Sequence, residues 1–155
     1  MNSKQHGLAL DASVERKAKD SFSRQGLMRH LGASVETVSV GFCEIEVRYR
    51  PELSQQHGYF HAGVSAAIAD TACGYAAYTM APRENSVLTV EFKLNLLAPA
   101  KGETLRAKAR VIRSGRTLTV CAADVYVRQG GVEKLCATAL VTIMNVVGHS
   151  EIGSA

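Results

Sequence analysis

The sequence lacks the features that would divide, export or anchor it. No Pro/Ser-rich stretch, internal repeat or low-complexity tract interrupts its 155 residues, so one domain with a substantial core is expected. The amino terminus, Met1-Asn2-Ser3-Lys4-Gln5-His6, is polar, without the basic-then-apolar pattern of a secretory signal, and a cytoplasmic protein is expected. Cys43, Cys73, Cys121 and Cys136 stand far apart, with no spacing suited to zinc or to a redox motif. They read as reduced, buried thiols, and no motif asks for a metal or another cofactor. A formal charge of +4 comes without an arginine-rich run or an alternation of basic and aromatic residues. That argues against nucleic acid as a partner, while a mild positive bias suits a small polyanionic ligand.

What is present is ordinary in bulk, 46% hydrophobic and 21% charged, and distinctive in one place. From Ala62 to Ala81 the only charged residue is Asp70, among Ala, Val, Ile, Cys and Gly. A helix with apolar residues all round is buried. The run has about the length of a membrane span, but its small residues, Asp70 and polar flanking strands argue against one. A lone carboxylate in a buried helix is a candidate site, or simply a satisfied core group. Cys73, one turn further on, is a conceivable nucleophile with no activating His at hand, and packing is the stronger reading.

The rest of the chain alternates like a sheet. Ser13 is a candidate N-cap for a helix running to about Arg29, stopped by Gly32. Two strands follow, Val35–Val40 and Gly41–Arg50, the second with Cys43, Ile45, Val47 and Tyr49 on one face and Glu44, Glu46, Arg48 and Arg50 on the other. After Pro82, period two places Leu88, Val90, Phe92, Leu94 and Leu96 on one face of another strand. Three more strands, from Leu105, Thr117 and Val132, are joined by turns at Ser114-Gly115 and Gln129-Gly130-Gly131. Disorder is expected before Ser13 and after Val147, which leaves 13–146 as the core. The fold class is α+β, one antiparallel sheet wrapped around a long central helix.

The lead-in Gln55-Gln56-His57-Gly58-Tyr59-Phe60-His61-Ala62-Gly63, Asp70 in mid-helix, and the later Val90-Glu91-Phe92 and Pro99-Ala100 resemble the hotdog-fold acyl-CoA thioesterases of the PaaI-like (phenylacetate-pathway) type. That family carries an Asn or Gln, then His-Gly-Gly at the helix start, then Asp or Glu eight residues after the middle position. Gln55, His61-Ala62-Gly63 and Asp70 correspond. Ala62 stands where the family usually has Gly; its backbone N–H survives, while its methyl group bears on substrate fit. The resemblance covers about residues 25 to 146. It implies a thioester hydrolase without metal or redox cofactor, working as a homodimer or a dimer of dimers.

Physical chemistry supports such a site. Thioester hydrolysis needs a donor for the charge that grows on the carbonyl oxygen, and a carboxylate that activates water or attacks directly. A helix N-terminus offers unpaired amides, here those of Ala62 and Gly63. Asp70 is the carboxylate. The two stand eight residues apart, about 12 Å along a helix, too far to reach one carbonyl, so if both act Asp70 must come from a second subunit. The resemblance further implies that Gln55 bonds the carbonyl or a water and that Thr89 positions water beside Asp70. His61 orients the loop or lines the site. Tyr59, Phe60, Tyr75 and Tyr78 are candidates to touch the acyl group, and Lys93, Arg113 and Arg116 to meet the phosphates of coenzyme A. Two other functions compete, a non-catalytic acyl-CoA sensor and a 3-hydroxyacyl thioester dehydratase or hydratase. The sensor needs a reader element for which the first 32 residues have little room, and the dehydratase's proline-containing His motif is missing.

Overall fold

The structure, a computed structural model, describes residues 12–148. The expectations for the two ends fall outside these residues. Two short helices come first, α1 (Ala12–Ser23) and α2 (Gly26–Leu31), then strands β1 (Ala33–Ser39) and β2 (Phe42–Arg48). A single 3₁₀ turn (Pro51–Leu53) precedes α3 (Ala62–Tyr78), and β3 (Ser86–Leu96), β4 (Thr104–Ser114), β5 (Leu118–Gln129) and β6 (Val132–Val146) complete the chain.

The single N-terminal helix expected from Ser13 to Arg29 is two helices, and Ser13 lies within the first rather than capping it. The amides of Arg24 and Gln25 bond back to Ser21 and Phe22, closing α1. Gln25 is then extended (φ −71°, ψ 110°), and the chain restarts at Gly26. Gly32 ends α2 in the left-handed region (φ 66°), where glycine carries no Cβ penalty.

All strand pairs are antiparallel, in the order β1-β2-β4-β5-β6-β3. The inner face is small and apolar: Cys43, Ile45, Val47, Ala107, Ala109, Cys121, Ala123 and Val141 are all fully buried. Small residues let the sheet close over α3, whose Ile68, Ala69, Ala72, Cys73 and Ala76 are buried against it. Each buried aliphatic side chain contributes about 1.5–3 kcal/mol for the larger types. On the outer face Arg106 Nε meets Glu46 at 2.6 Å and its Nη1 meets Glu44 at 3.1 Å, while Lys108 meets Glu133 at 2.7 Å. The alternation read in Cys43–Val47 is thus the division between helix and solvent.

β3 departs from its expected regular alternation. Its register on β6 shifts between Thr89 and Glu91, leaving Val90 as a bulge. Leu88 accordingly pairs with Met144 on the outer face. Phe92, Leu94 and Leu96 pair with the buried Val141, Ala139 and Ala137 on the helix side. β3 is also an edge strand, so Leu88, Val90, Phe92 and Leu96 remain about half exposed, and no strand among the described residues pairs with its outer side.

Candidate active site

Residues 55–63 fold into a tight lead-in to α3. Gly58 N–H bonds Gln55 O at 3.0 Å and Gln55 N–H bonds Tyr59 O at 2.9 Å, a reversal in which Gly58 takes φ 77°. The Gln55 side-chain oxygen accepts from His57 N–H. His61 is the N-cap of α3, its ring Nδ1 accepting from Gly63 N–H at 2.9 Å. The remaining ring nitrogen of the neutral imidazole therefore carries the proton. Of the two amides proposed as donors, Gly63 N–H is held by His61, and Ala62 N–H has no acceptor among the described residues. It points from the positive end of a 17-residue helix.

Asp70 lies two turns further along α3, partly buried. Thr89 Oγ1 donates to Asp70 Oδ1 at 2.7 Å, so the strand hydroxyl fixes one carboxylate oxygen and leaves the other free. Cys73 is no nucleophile. Its thiol is pushed well above the ordinary range by its hydrogen bond to Cys121, by burial, and by the neighbouring Asp70 charge. Cys121 Sγ donates to Cys73 O at 3.6 Å, so this thiol pair serves as a buried contact between helix and sheet.

The two groups open into separate clefts. One, of about 470 Å³, is lined by Gln55, Tyr59, Phe60 and Ala62 with Leu96 and Leu97 from the end of β3. The other, of about 380 Å³, holds Asp70 and Thr89 with Val87 and Leu88 from the beginning of β3. Lys93, Arg113 and Arg116 line neither. Lys93 and Arg113 pair with Leu140 and Val120 on the sheet face turned away from α3, and Arg116 lies in the β4–β5 turn, its carbonyl held by Asn145 Nδ2 at 3.2 Å. The Asp70 cleft also recruits residues that sequence reasoning left aside: Thr71 and Gly74 from the same helical stripe, and Gln25, Leu27 and Met28 from the start of α2. The i, i+4 spacing from Asp70 was the available signal for Gly74. Gln25 Nε2 donates to Tyr75 Oη at 3.2 Å, which also bonds Ser21 Oγ at 2.9 Å. The buried Tyr78 hydroxyl has no hydrogen-bond partner among the described residues. No three His, Cys, Asp or Glu side chains among the described residues are grouped to hold a metal, and none of the described helices is long and apolar enough to cross a membrane.

Comparison with known families gives this arrangement its context. The profile of the thioesterase superfamily matches residues 57–134, spanning the lead-in, α3 and the strands from β3 to the start of β6. The chain belongs to the thioesterase superfamily. A thioesterase family protein from Silicibacter pomeroyi is 44% identical, over 87% of this chain and 99% of its own, with a TM-score of 0.85. The PaaI protein of the E. coli phenylacetic acid degradation operon superposes with a TM-score of 0.80 at 20% identity, covering 90% of this chain and 98% of its own. The 1,4-dihydroxy-2-naphthoyl-CoA hydrolase of Listeria monocytogenes is 26% identical over 95 residues, 61% of this chain and 77% of its own. The six-stranded sheet around α3 is thus the hotdog fold, which the PaaI protein shares, and the protein is a thioester hydrolase.

Proposed function

We propose that this thioesterase hydrolyses acyl-CoA thioesters at a site shared between two copies of the chain. One observation carries the reading: the free Ala62 amide and the Asp70–Thr89 pair lie in different clefts, at opposite ends of the same open strand. An exposed edge strand with apolar side chains is a template for pairing. If β3 pairs antiparallel with its own copy about a two-fold axis at Phe92, Glu91 stands opposite Lys93 of the second copy. Opposite charges across strands are favourable. The Ala62 cleft, ending at Leu96, then abuts the Asp70 cleft of the second copy, beginning at Val87. An isologous interface of this kind makes two identical composite sites.

In each, the Ala62 N–H of one copy polarises the thioester carbonyl, supported by the dipole of α3. Asp70 of the other copy either takes a proton from the attacking water or attacks the carbonyl itself, oriented by Thr89. The thiol of coenzyme A leaves, and water supplies the oxygen of the free acid. Gln55 borders the carbonyl from the lead-in loop, and Tyr59 and Phe60 border the thioester. Thiol release from a panel of aryl- and alkyl-CoA thioesters tests this. Asp70→Asn should fold, assemble and lose at least about a hundredfold in turnover, the scale of a general base. Near-normal turnover in that variant would remove Asp70 from the mechanism.

A further inference from the structure

We infer that the acyl group lies along α3 in the groove floored by Gly74, and that this glycine sets the enzyme's preference for acyl groups long enough to pass it. The inference rests on the hydrolytic reading above and names the substrate class.

Asp70, Gly74 and Tyr78 occur at i, i+4 and i+8, one stripe of the helix, and all three line the same cleft. Gly74 is a glycine in mid-helix, where it loses more backbone entropy than any other residue and is disfavoured. Neither backbone nor packing calls for it. Its φ is not positive, and a Cβ built there meets no heavy atom within 4 Å. The missing side chain leaves a hollow just beyond the carboxylate.

The hollow is lined mainly by apolar side chains, with Gln25 and Thr71 also on its wall. Leu27 and Met28 of α2 stand on one side, Val87 of β3 on the other, and the ring of the buried Tyr78 stops the far end. The one charged group of the lining stands at the near end, where Thr89 bonds Asp70. A thioester whose carbonyl meets Asp70 and whose tail is apolar fits this polarity. From Asp70 to Tyr78 the helix rises about 12 Å. A medium-chain alkyl or two-ring aryl acyl group spans that distance, and acetyl or butyryl does not reach the Gly74 floor.

The test compares the full-length wild type with Gly74→Leu, and with Gly74→Ala as a smaller filling, on butyryl-, octanoyl- and decanoyl-CoA. Calorimetry with the non-hydrolysable S-butyl and S-decyl thioethers of coenzyme A runs beside it, and light scattering follows assembly. The expected result is a fall of at least tenfold in the ratio of decanoyl to butyryl kcat/KM for Gly74→Leu. Gly74→Ala should show a smaller fall, and the thioether affinities should change in the same sense. If Gly74→Leu does not fold, Gly74→Ala carries the comparison. An unchanged ratio, or an equal loss at every length, overturns the inference. So does dissociation of the assembly, which would assign the hollow to a second copy of α3. A wild type that turns over nothing yet binds the longer thioether in a Gly74-dependent way would overturn hydrolysis and uphold the subsite.

Discussion

Two inactive variants of this enzyme should restore each other. Ala62 is the first residue of α3, a position where proline is favoured because its amide has no helical partner. His61, before it, is already extended (φ −64°, ψ 139°), the conformation a following proline requires. Ala62→Pro therefore deletes the proposed oxyanion donor without removing a structural hydrogen bond. Losing an oxyanion donor costs on the order of a hundred- to a thousandfold in kcat. Asp70→Asn deletes the carboxylate and leaves the Thr89 hydroxyl a partner. When the two chains are co-expressed in equal amounts and assort randomly, about half the dimers are mixed, and each mixed dimer has one intact and one doubly defective site. About a quarter of wild-type turnover per chain should return, from parents near or below about one per cent. Affinity purification through two different tags isolates the mixed dimers, in which thiol-release kinetics should then show about half of wild-type turnover per chain. Turnover that stays at the parental level in verified mixed dimers would refute the shared site, because a site within one chain is never repaired by its neighbour.

Thr89→Val keeps the strand and removes the 2.7 Å bond to Asp70. Hydrogen bonds to charged groups are worth about 1.5–3 kcal/mol, so kcat should fall roughly ten- to a hundredfold, with KM much less affected. An unchanged kcat would make the hydroxyl a bystander. The thiols give a structural check. All four cysteines are buried, and burial pushes Cys43 up to about 12 and Cys136 up to about 11. A disulfide reagent at pH 8 should find fewer than about one reactive thiol per native chain, since the thiolate is the nucleophile. All four should react in guanidinium, and fast labelling of the native protein would contradict the packing around α3.

How far the sequence discloses this differs from residue to residue. Cys43, Ile45 and Val47 alternate because the strand has one dry and one wet face, and that period survives in any register. Asp70 stood out because no other charge shares its helix. The bulge at Val90 did not, since an extra residue in an apolar run leaves the composition unchanged and only the partner strand reveals it. The break at Gln25 was hidden in the same way, because both halves are good helix formers and only the packing of Met28 and Leu31 against the core turns the chain there. The position of Lys93 depends on strand parity, and it falls on the face away from α3. The Gly63 amide could be counted as free until His61 was seen to accept from it.

The strand order also has a consequence for biosynthesis. β3 is made fourth from the last strand in sequence but hydrogen-bonds only to the last, β6, whose residues Ala137–Val146 lie some fifty positions downstream. During translation, at about 5–20 residues per second, Thr89 waits for several seconds with no neighbour to hold it against Asp70. Its apolar edge is open during that interval to any other nascent chain. A ribosome that stalls before Val132 releases a chain in which β1, β2, β4 and β5 can pair while β3 cannot. Chaperone dependence and inclusion-body formation should therefore track the emergence of β6 rather than the length of chain produced.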